Sequence, residues 1–349
     1  MAAVAFLDIQ TALNTIFEDD LASQINRATV GAKILPKKTV QGKSINWDAR
    51  LGTAVGTAES DGAVISTYNS DTKAPATLYV ATYQDSFKLD GRAVASAANS
   101  GGPAALVDLF GEHVMESSER VASKVNIDLY SGTGATTEPI TIAGLSTVAL
   151  LADTGTYANI SRNTYSQWKS NVLGNSSVPR PLTIQLMRDM MRTIYIASGH
   201  KPDLILADPF QHEQYGLTFG PFRRYIKDSM YVAGDKIELD GGYSVLEFDG
   251  IPVIEDKDAV AGEMLFLNTK SVSIRPLPHA AMQLAASSGQ LEITGSEEAN
   301  EGPGNTGLRA RIQQLANDGD YMVFQVVVYL QTQVRHPNRC GKLTDLATS

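Results

Sequence analysis

The stretch between residues 33 and 89 constrains the fold of this chain more than any other. Residues Ser44 to Leu51 alternate polar and apolar side chains without a fault, as a strand with one buried face does. A second apolar alternation runs from Tyr79 to Leu89, and the residues between the two segments are rich in Gly, Ala, Thr, Ser and Asp. This pattern predicts an extended β-hairpin with a long polar tip. Because little nearby could form its core, we expect the hairpin to rest on another subunit.

A long amphipathic helix is predicted after the hairpin, from Gly101-Gly102-Pro103 to about Tyr130, with Gly132 just past its end. At about 1.5 Å per residue it would be around 40 Å long. Its polar side carries Glu112, Glu116, Glu119, Arg120 and Lys124. Its apolar stripe comprises Leu106, Leu109, Phe110, Val114, Val121, Val125 and Leu129. We call this element the spine helix.

Other segments are predicted on either side of this hairpin and helix. Apolar residues at three- and four-residue steps predict a helix over 6–27, and Thr164 to Leu173 resembles a short helix. A compact α/β module should follow. A helix that ends at Gly199, a short buried strand, and a second helix that begins at Asp208-Pro209 come in quick succession. Its strands are predicted at 204–207, 245–248, 251–254 and 264–267. A long strand over 321–335 closes the chain.

Composition excludes several classes of protein. The chain has 349 residues, of which 43% are hydrophobic and only 19% charged, so it can bury a large core and more surface against partners. The 29 basic and 38 acidic residues give a net charge of −9, which disfavours a dedicated nucleic-acid binder. Cys340 is the single cysteine, so no intramolecular disulfide can form. No signal peptide or apolar run of about 18 residues is present, and we expect no membrane insertion.

The sequence offers no catalytic constellation. The string Gly302-Pro303-Gly304-Asn305-Thr306-Gly307 matches a dinucleotide-binding pattern, but its proline and the nearby Glu297, Glu298 and Glu301 disfavour phosphate binding. The five histidines lack metal-ligand spacing, and pairs such as Asp19-Asp20 and Glu297-Glu298 are typical of solvated faces. We therefore expect no enzyme activity and no catalytic, cofactor-binding or metal-binding residues.

A basic stretch lies within the first hairpin strand and before it. Its cationic residues are Lys33, Lys37, Lys38, Lys43 and Arg50. The clean alternation of this strand favours a charged face that meets solvent or a neighbouring subunit over one that contacts DNA.

The order of these elements resembles the major capsid proteins of tailed bacteriophages, which have the Hong Kong 97 fold. The resemblance spans essentially the whole chain and is carried by the spine helix, the segments 200–209 and 248–254, and the strand residues 326–330. It implies an α+β fold in five parts. These are an N-terminal arm (1–32), an extended β-hairpin loop (33–90), a peripheral domain with the spine helix (91–180), an axial α/β domain (181–275), and the rest of the axial domain with the return strands of the peripheral domain (276–349).

The resemblance also implies a function. It identifies a shell protein that self-assembles, as hexamers and pentamers, into an icosahedral virion head in the host cytoplasm. The implied partners are further copies of the chain, a portal protein, scaffolding and cement or decoration proteins, and packaged DNA enclosed without sequence-specific binding. In some relatives a hairpin lysine forms an isopeptide bond with an asparagine. Lys37, Lys38 and Lys43 are candidates by position, but we expect no such bond here.

Two other functions stay open at this point. An encapsulin-like bacterial nanocompartment shell resembles the same fold but encloses enzyme cargo instead of a genome. A hydrolase that uses an Asp/Glu pair in the mid-chain module is the remote alternative. The size and nucleic-acid content of purified particles would separate the two shell functions, and monomeric behaviour on a sizing column would favour the hydrolase.

Overall fold

A computed structural model describes residues 30–52, 72–134, 139–219, 229–232, 235–238, 246–277, 311–315 and 319–348. Three predicted features lie outside these residues: the helix over 6–27, the polar hairpin tip over 53–71 and the glycine string at 302–307. The side chains of Leu106 and Leu109 on the spine helix are likewise outside the description.

The spine helix is longer than the sequence predicts. A short helix, α1 (Val30–Ile34), comes first in the described chain, and the spine helix, α2, then runs over Gly91–Ser131. Its 41 residues make it about 60 Å long. The predicted start at Gly101-Gly102-Pro103 is wrong, because the helix passes through these residues. Two glycines and a proline disfavour helix by about 5 kcal/mol in total, which is more than the six alanines between residues 93 and 105 offset, so local propensity does not account for the observed start.

The end of the spine helix is at the predicted residue for a different reason. Gly132 donates its backbone N–H to the Asp128 carbonyl at 2.8 Å, yet its φ of −61° is available to any residue. A Cβ atom at Gly132 would collide with the Ile142 carbonyl oxygen. Glycine is therefore required because two backbone segments approach closely there, not because of a left-handed conformation.

A four-stranded sheet packs beside the spine helix, and we call it the peripheral sheet. Its central strand is β15 (Tyr321–Val334), which confirms the predicted closing strand. One edge of β15 pairs along ten residues with β3 (Ala81–Asp90), and the other pairs with β13 (Val272–Pro276) and β14 (Arg311–Gln314). The members of the main hydrophobic core on this strand match the period-two apolar pattern, whereas residues 330–334 are buried on both faces of the strand. The core members are Phe324, Val326, Val328, Leu330 and Val334.

The second arm of the predicted hairpin divides into two strands at Val80. Strand β1 (Ser44–Arg50) pairs antiparallel with β2 (Lys73–Tyr79), in a register that sets Ser44 opposite Tyr79. The next strand, β3, leaves the hairpin and joins the peripheral sheet. A continuous apolar alternation from Tyr79 to Leu89 gives no sign of this change of partner, because both sheets bury one face.

The α/β module contains the second large sheet and two helices. Its elements are β6 (Asn171–Leu173), α3 (Ile184–Ser198), β7 (Leu204–Ala207), α4 (Pro209–Phe219), β10 (Leu246–Phe248), β11 (Ile251–Glu255), β12 (Met264–Leu267) and β16 (Gly341–Leu343). The strand order of the sheet is β10-β11-β7-β12-β16-β6. The apolar run that predicted strand β7 is fully buried, and Asp249 and Gly250 both have positive φ in the β10–β11 turn, as expected.

Helix α3 confirms its predicted stripe and stop. Met187, Met190 and Ile194 are fully buried, and Gly199 caps the helix at φ 69°. The helix predicted over Thr164 to Leu173 is wrong: one 3₁₀ turn, Ser166–Trp168, precedes strand β6, which pairs with β16. The described part of the chain also contains two small two-stranded sheets and a second 3₁₀ turn, Pro337–Arg339. One sheet pairs β4 (Thr156–Tyr157) with β5 (Ile160–Ser161), and the other pairs β8 (Ser229–Val232) with β9 (Asp235–Glu238).

Candidate subunit contact site

The base of the β1–β2 hairpin packs on its own chain. Ile45, Ala49, Ala76 and Leu78 point from both strands into the main hydrophobic core and are at most 5% exposed. The backbone N–H of Thr77 donates to a carbonyl in the loop between β4 and β5 at 3.1 Å. The expectation that the hairpin lacks a core of its own is therefore wrong for this base, which long-range side-chain packing stabilises.

A cluster of three aromatic rings joins the hairpin base to the rest of the subunit. Trp47 on β1 lies 6.3 Å from the ring of Tyr157 and 6.4 Å from that of Trp168, between ring centroids. Trp168 stacks on Tyr157 at 5.7 Å and donates its Nε1–H to the Tyr157 carbonyl oxygen at 3.1 Å. Such contacts add about 0.5–1.5 kcal/mol per pair beyond area burial, so they fix the direction in which the hairpin leaves the body.

The other face of the hairpin is exposed and mainly cationic. Lys43, Arg50 and Lys73 are exposed, with Asp48 the acidic residue among them. The described residues hold no ion pair of these three cations within the chain. This face therefore carries net positive charge on a chain whose net charge is −9.

Lys37 departs from the predicted surface position of the basic stretch. Residues 36–40 run beside β13, with hydrogen bonds that join them to Ile274 and Pro276, and this pairing turns Lys37 into the interior. The side chain is 2% exposed, and its Nζ donates to the Lys33 carbonyl oxygen at 3.3 Å. Burial, with a smaller effect of the Lys33 charge, lowers the pKa of Lys37 from 10.5 to about 7.

Replacing Lys37 with Met should stabilise the subunit at neutral pH. Between pH 7 and 10.5 the unfolded chain binds more protons at this position than the folded chain, so the stability of the native protein rises with pH there. We expect Lys37→Met to raise the free energy of unfolding by about 1–3 kcal/mol at pH 7, and by much less near pH 10.5. Urea denaturation at both pH values measures this. Lys38→Met is the control, and an equal gain at both pH values would contradict the explanation.

An acidic stripe follows the exposed side of the spine helix. Glu112, Glu116 and Glu119 are exposed and lie at helical spacing on one face. Glu116 pairs with Arg120 at 3.0 Å, and Arg120 also pairs with Asp85 on β3 at 2.9 Å. No ion pair of Glu112 or Glu119 occurs within the described part of the chain. The opposite side, with Val114, Val121, Val125 and Leu129, is buried, which confirms the described part of the predicted stripe.

A buried polar cluster under the spine helix joins three distant parts of the chain. The Asp256 carboxylate accepts hydrogen bonds from the Gly31 backbone N–H and the Tyr130 hydroxyl, both at 2.8 Å, and from Asn126 Nδ2 at 3.1 Å. Burial, together with the charge of Asp256, raises the pKa of Tyr130 well above its usual value, so the hydroxyl remains a donor. A Cβ atom at Gly31 would lie 2.8 Å from the Tyr130 hydroxyl oxygen. Only glycine therefore fits where α1 meets the spine helix.

This cluster includes an Asp pair of the mid-chain module, Asp256 and Asp258. Asp256 is 1% exposed, and the Asp258 backbone N–H and the Asn126 amide both donate to it. Asn126 Nδ2 also lies 2.6 Å from Asp258 Oδ2. Sequence reasoning missed this cluster, since its members lie far apart along the chain. The Asp256 carboxylate is a hydrogen-bond acceptor that anchors α1 and has a structural role.

The other acidic pairs noted in the sequence, Asp19-Asp20 and Glu297-Glu298, lie outside the described residues.

Other side chains that could bind a metal or react instead pack against or pair with neighbouring groups of the fold. His113 stacks on Phe87 at 5.9 Å, and His212 Nδ1 lies 3.3 Å from a Glu255 carboxylate oxygen. Burial raises the pKa of the Cys340 thiol to about 12. Within the described ranges, no three His, Cys, Asp or Glu side chains are close enough to hold a metal ion. None of the helices in this part of the chain combines the length and hydrophobicity that a membrane-spanning segment needs.

Comparison with known proteins settles the family. The sequence model that describes the SU10 major capsid protein matches residues 8–301. The chain belongs to the SU10 major capsid protein family. This membership confirms the predicted tailed-phage major capsid protein, its icosahedral virion location and its self-association into capsomers. No curated protein is significantly similar to this capsid protein in sequence.

Solved structures confirm the fold. A chain of the cyanophage A-1(L) capsid asymmetric unit superposes on the capsid protein with a TM-score of 0.67 at 21% identity, over 90% of this chain and 92% of that one. The capsid of an empty GTA particle gives 0.55 at 11% identity, over 91% of both chains. The SrpI encapsulin complex of Synechococcus elongatus PCC 7942 gives 0.50 at 10% identity, over 90% and 86%. The encapsulin likeness shows the shared fold alone, and the family match favours the viral shell.

Proposed function

We propose that the capsid protein forms hexamers and pentamers in which the hairpin of each subunit lies over the spine helix of its neighbour. Complementary charge supports this arrangement. Exposed cations on the hairpin have no partner among the described residues of their own chain, and the same holds for Glu112 and Glu119 on the spine helix. Opposite charges across a subunit contact steer association and fix its register.

The proposed division of labour follows the five parts of the chain. The arm (1–32) ends at α1, where Gly31 donates to Asp256, and the hairpin loop (33–90) reaches the neighbouring subunit through β1 and β2, while its last strand, β3, stays in the peripheral sheet. The peripheral domain (91–180) supplies the spine helix, the axial domain (181–275) lies toward the capsomer centre, and residues 276–349 complete both. Two strands cross these bounds, because β6 pairs in the sheet of the α/β module and β13 pairs in the peripheral sheet. Assembly takes place in the host cytoplasm.

The proposed partners besides further copies are a portal protein, scaffolding and cement or decoration proteins, and enclosed double-stranded DNA. The net charge of −9 supports enclosure without sequence-specific binding, because a wall with many phosphate contacts would hold the genome tightly. We further propose that the protein is not an enzyme and uses no cofactor or metal. Its role requires subunit contacts, and the buried groups described above act in the fold.

A charge exchange tests the hairpin contact. Lys73→Glu and Glu119→Lys should each lower the yield of closed shells about fivefold, since a like-charge pair costs about 1 kcal/mol at each contact. The double variant should restore the yield. Negative-stain electron microscopy and a sizing column measure shells against free subunits. Glu213→Lys, which reverses an exposed charge on α4, is the matched control.

Three outcomes of this test count against the proposal in different ways. If the single variants assemble like the native protein, the hairpin does not contact the spine helix through these charges. If both single variants fail and the double variant also fails, the two residues lie in different contacts. If the native protein stays monomeric at every concentration and salt, the self-assembly itself is in doubt.

A further inference from the structure

A cavity of about 380 Å³ lies at the hairpin base, between β1, the 3₁₀ turn Ser166–Trp168 and the segment that follows β15. Its lining includes two tryptophans and three groups that can carry positive charge. These residues are Trp47, Arg50, Trp168, Arg335 and His336, and Asn338 also lines the cavity. The volume suits one or two side chains.

The charges around this cavity are unbalanced. Arg50 and Arg335 are exposed and have no ion-pair partner among the residues that the structure describes. Asp48 is the carboxylate in the lining. Burial lowers the pKa of His336, and the nearby charges of Arg339, Arg335 and His200 lower it further. The cavity lining therefore carries net positive charge, although the chain as a whole has a net charge of −9.

We propose that this cavity receives an Asp or Glu side chain of a second copy of the chain. An arginine guanidinium binds a carboxylate through two parallel hydrogen bonds, and the tryptophan rings offer apolar surface for the methylene groups of the inserted side chain. The chain has an excess of acidic residues, so each neighbour offers many carboxylates. This inference rests on the self-association in the proposed function, but not on the contact between hairpin and spine helix.

The shape of the cavity favours a protein side chain over DNA. A duplex presents a convex row of phosphates, which a flat or protruding basic face follows. A concave cavity of about 380 Å³ with aromatic walls accommodates one or two side chains instead. The cavity also adjoins the hairpin base, whose direction is fixed by the aromatic cluster. An inserted carboxylate would therefore connect the hairpin base of one subunit to its neighbour.

Site-specific photocrosslinking tests this inference. Gln167, in the cavity lining, is replaced with p-benzoylphenylalanine in the full-length chain, and assembled shells are irradiated. We expect a crosslink between two chains, mapped by mass spectrometry to a peptide that carries Asp or Glu. Adding Arg335→Glu should reduce that crosslink at least tenfold, whereas Arg335→Lys should retain much of it. The same photoreactive residue at Gln185, exposed on α3, is the control for random collisions.

The remaining outcomes overturn the inference. A crosslink only within one chain, a nuclease-sensitive adduct with DNA, or a yield no higher than at Gln185 would each show that no neighbouring carboxylate occupies the cavity. An unchanged crosslink in Arg335→Glu would remove the electrostatic basis of binding. Because Arg335 is exposed, these variants should fold, and circular dichroism checks this. Shells that form normally without the crosslink would leave the proposed function intact, whereas failure of the native chain to form shells would count against that function.

Discussion

Val121→Asp will abolish folded, soluble subunit. Val121 lies on the buried side of the spine helix, is 4% exposed and belongs to the main hydrophobic core. An unpaired carboxylate buried there costs several kcal/mol, which is comparable with the total stability of about 5–15 kcal/mol of a typical domain. Soluble yield and far-ultraviolet circular dichroism measure the loss. Normal shells from this variant would show that the buried side has been wrongly assigned.

Glu116→Ala is the matched control on the opposite side of the same helix. The Glu116 side chain is 59% exposed, and its pair with Arg120 is a surface ion pair, worth at most about 1 kcal/mol. Folding should therefore be unchanged. If this variant folds but forms no shells, the polar side of the spine helix is itself a subunit contact.

Asp256→Ala should lower the free energy of unfolding by about 3–5 kcal/mol, since buried donors left without an acceptor cost about 1–3 kcal/mol each. The donors that would lose their acceptor include the Gly31 backbone N–H, the Tyr130 hydroxyl and the Asn126 amide. Chemical denaturation measures the change. Because α1 loses its anchor, limited trypsin digestion should also cut faster after Lys33.

Two variants separate this effect from a general loss of charge. Asp256→Asn retains an acceptor oxygen and should lose less stability than Asp256→Ala. Asp153→Ala removes an exposed carboxylate and should leave the stability within about 0.5 kcal/mol of the native value. If Asp256→Ala matched Asp153→Ala, the cluster would not stabilise the fold.

Local sequence patterns were sufficient for elements whose evidence lies within a few residues. The buried stripe of α3, its glycine stop at Gly199 and the Asp249-Gly250 turn were all predictable, because each depends on helical periodicity or on a backbone angle. The family resemblance supplied the arrangement of these elements, which periodicity alone does not determine.

Long-range pairing explains what the sequence could not predict. Gly31 and Asp256 are separated by 225 positions and Asn126 and Asp256 by 130, so no local pattern marks the cluster that joins them. The burial of Lys37 depends on pairing with Ile274, and the exchange of partners at Val80 depends on β15. The candidate contact surfaces were predictable as charged faces, but the cavity at the hairpin base required the three-dimensional structure.

The central position of β15 controls when a newly made subunit can mature. Strand β3 is synthesised early, yet its partner residues Tyr321–Leu330 leave the ribosome roughly 240 positions later, so the peripheral sheet closes only after nearly the whole chain has been made. Until then, the face of the spine helix that packs on β15 has no cover. A product truncated before Tyr321 therefore lacks the central strand of the peripheral sheet, and β3 has no partner strand in such a chain.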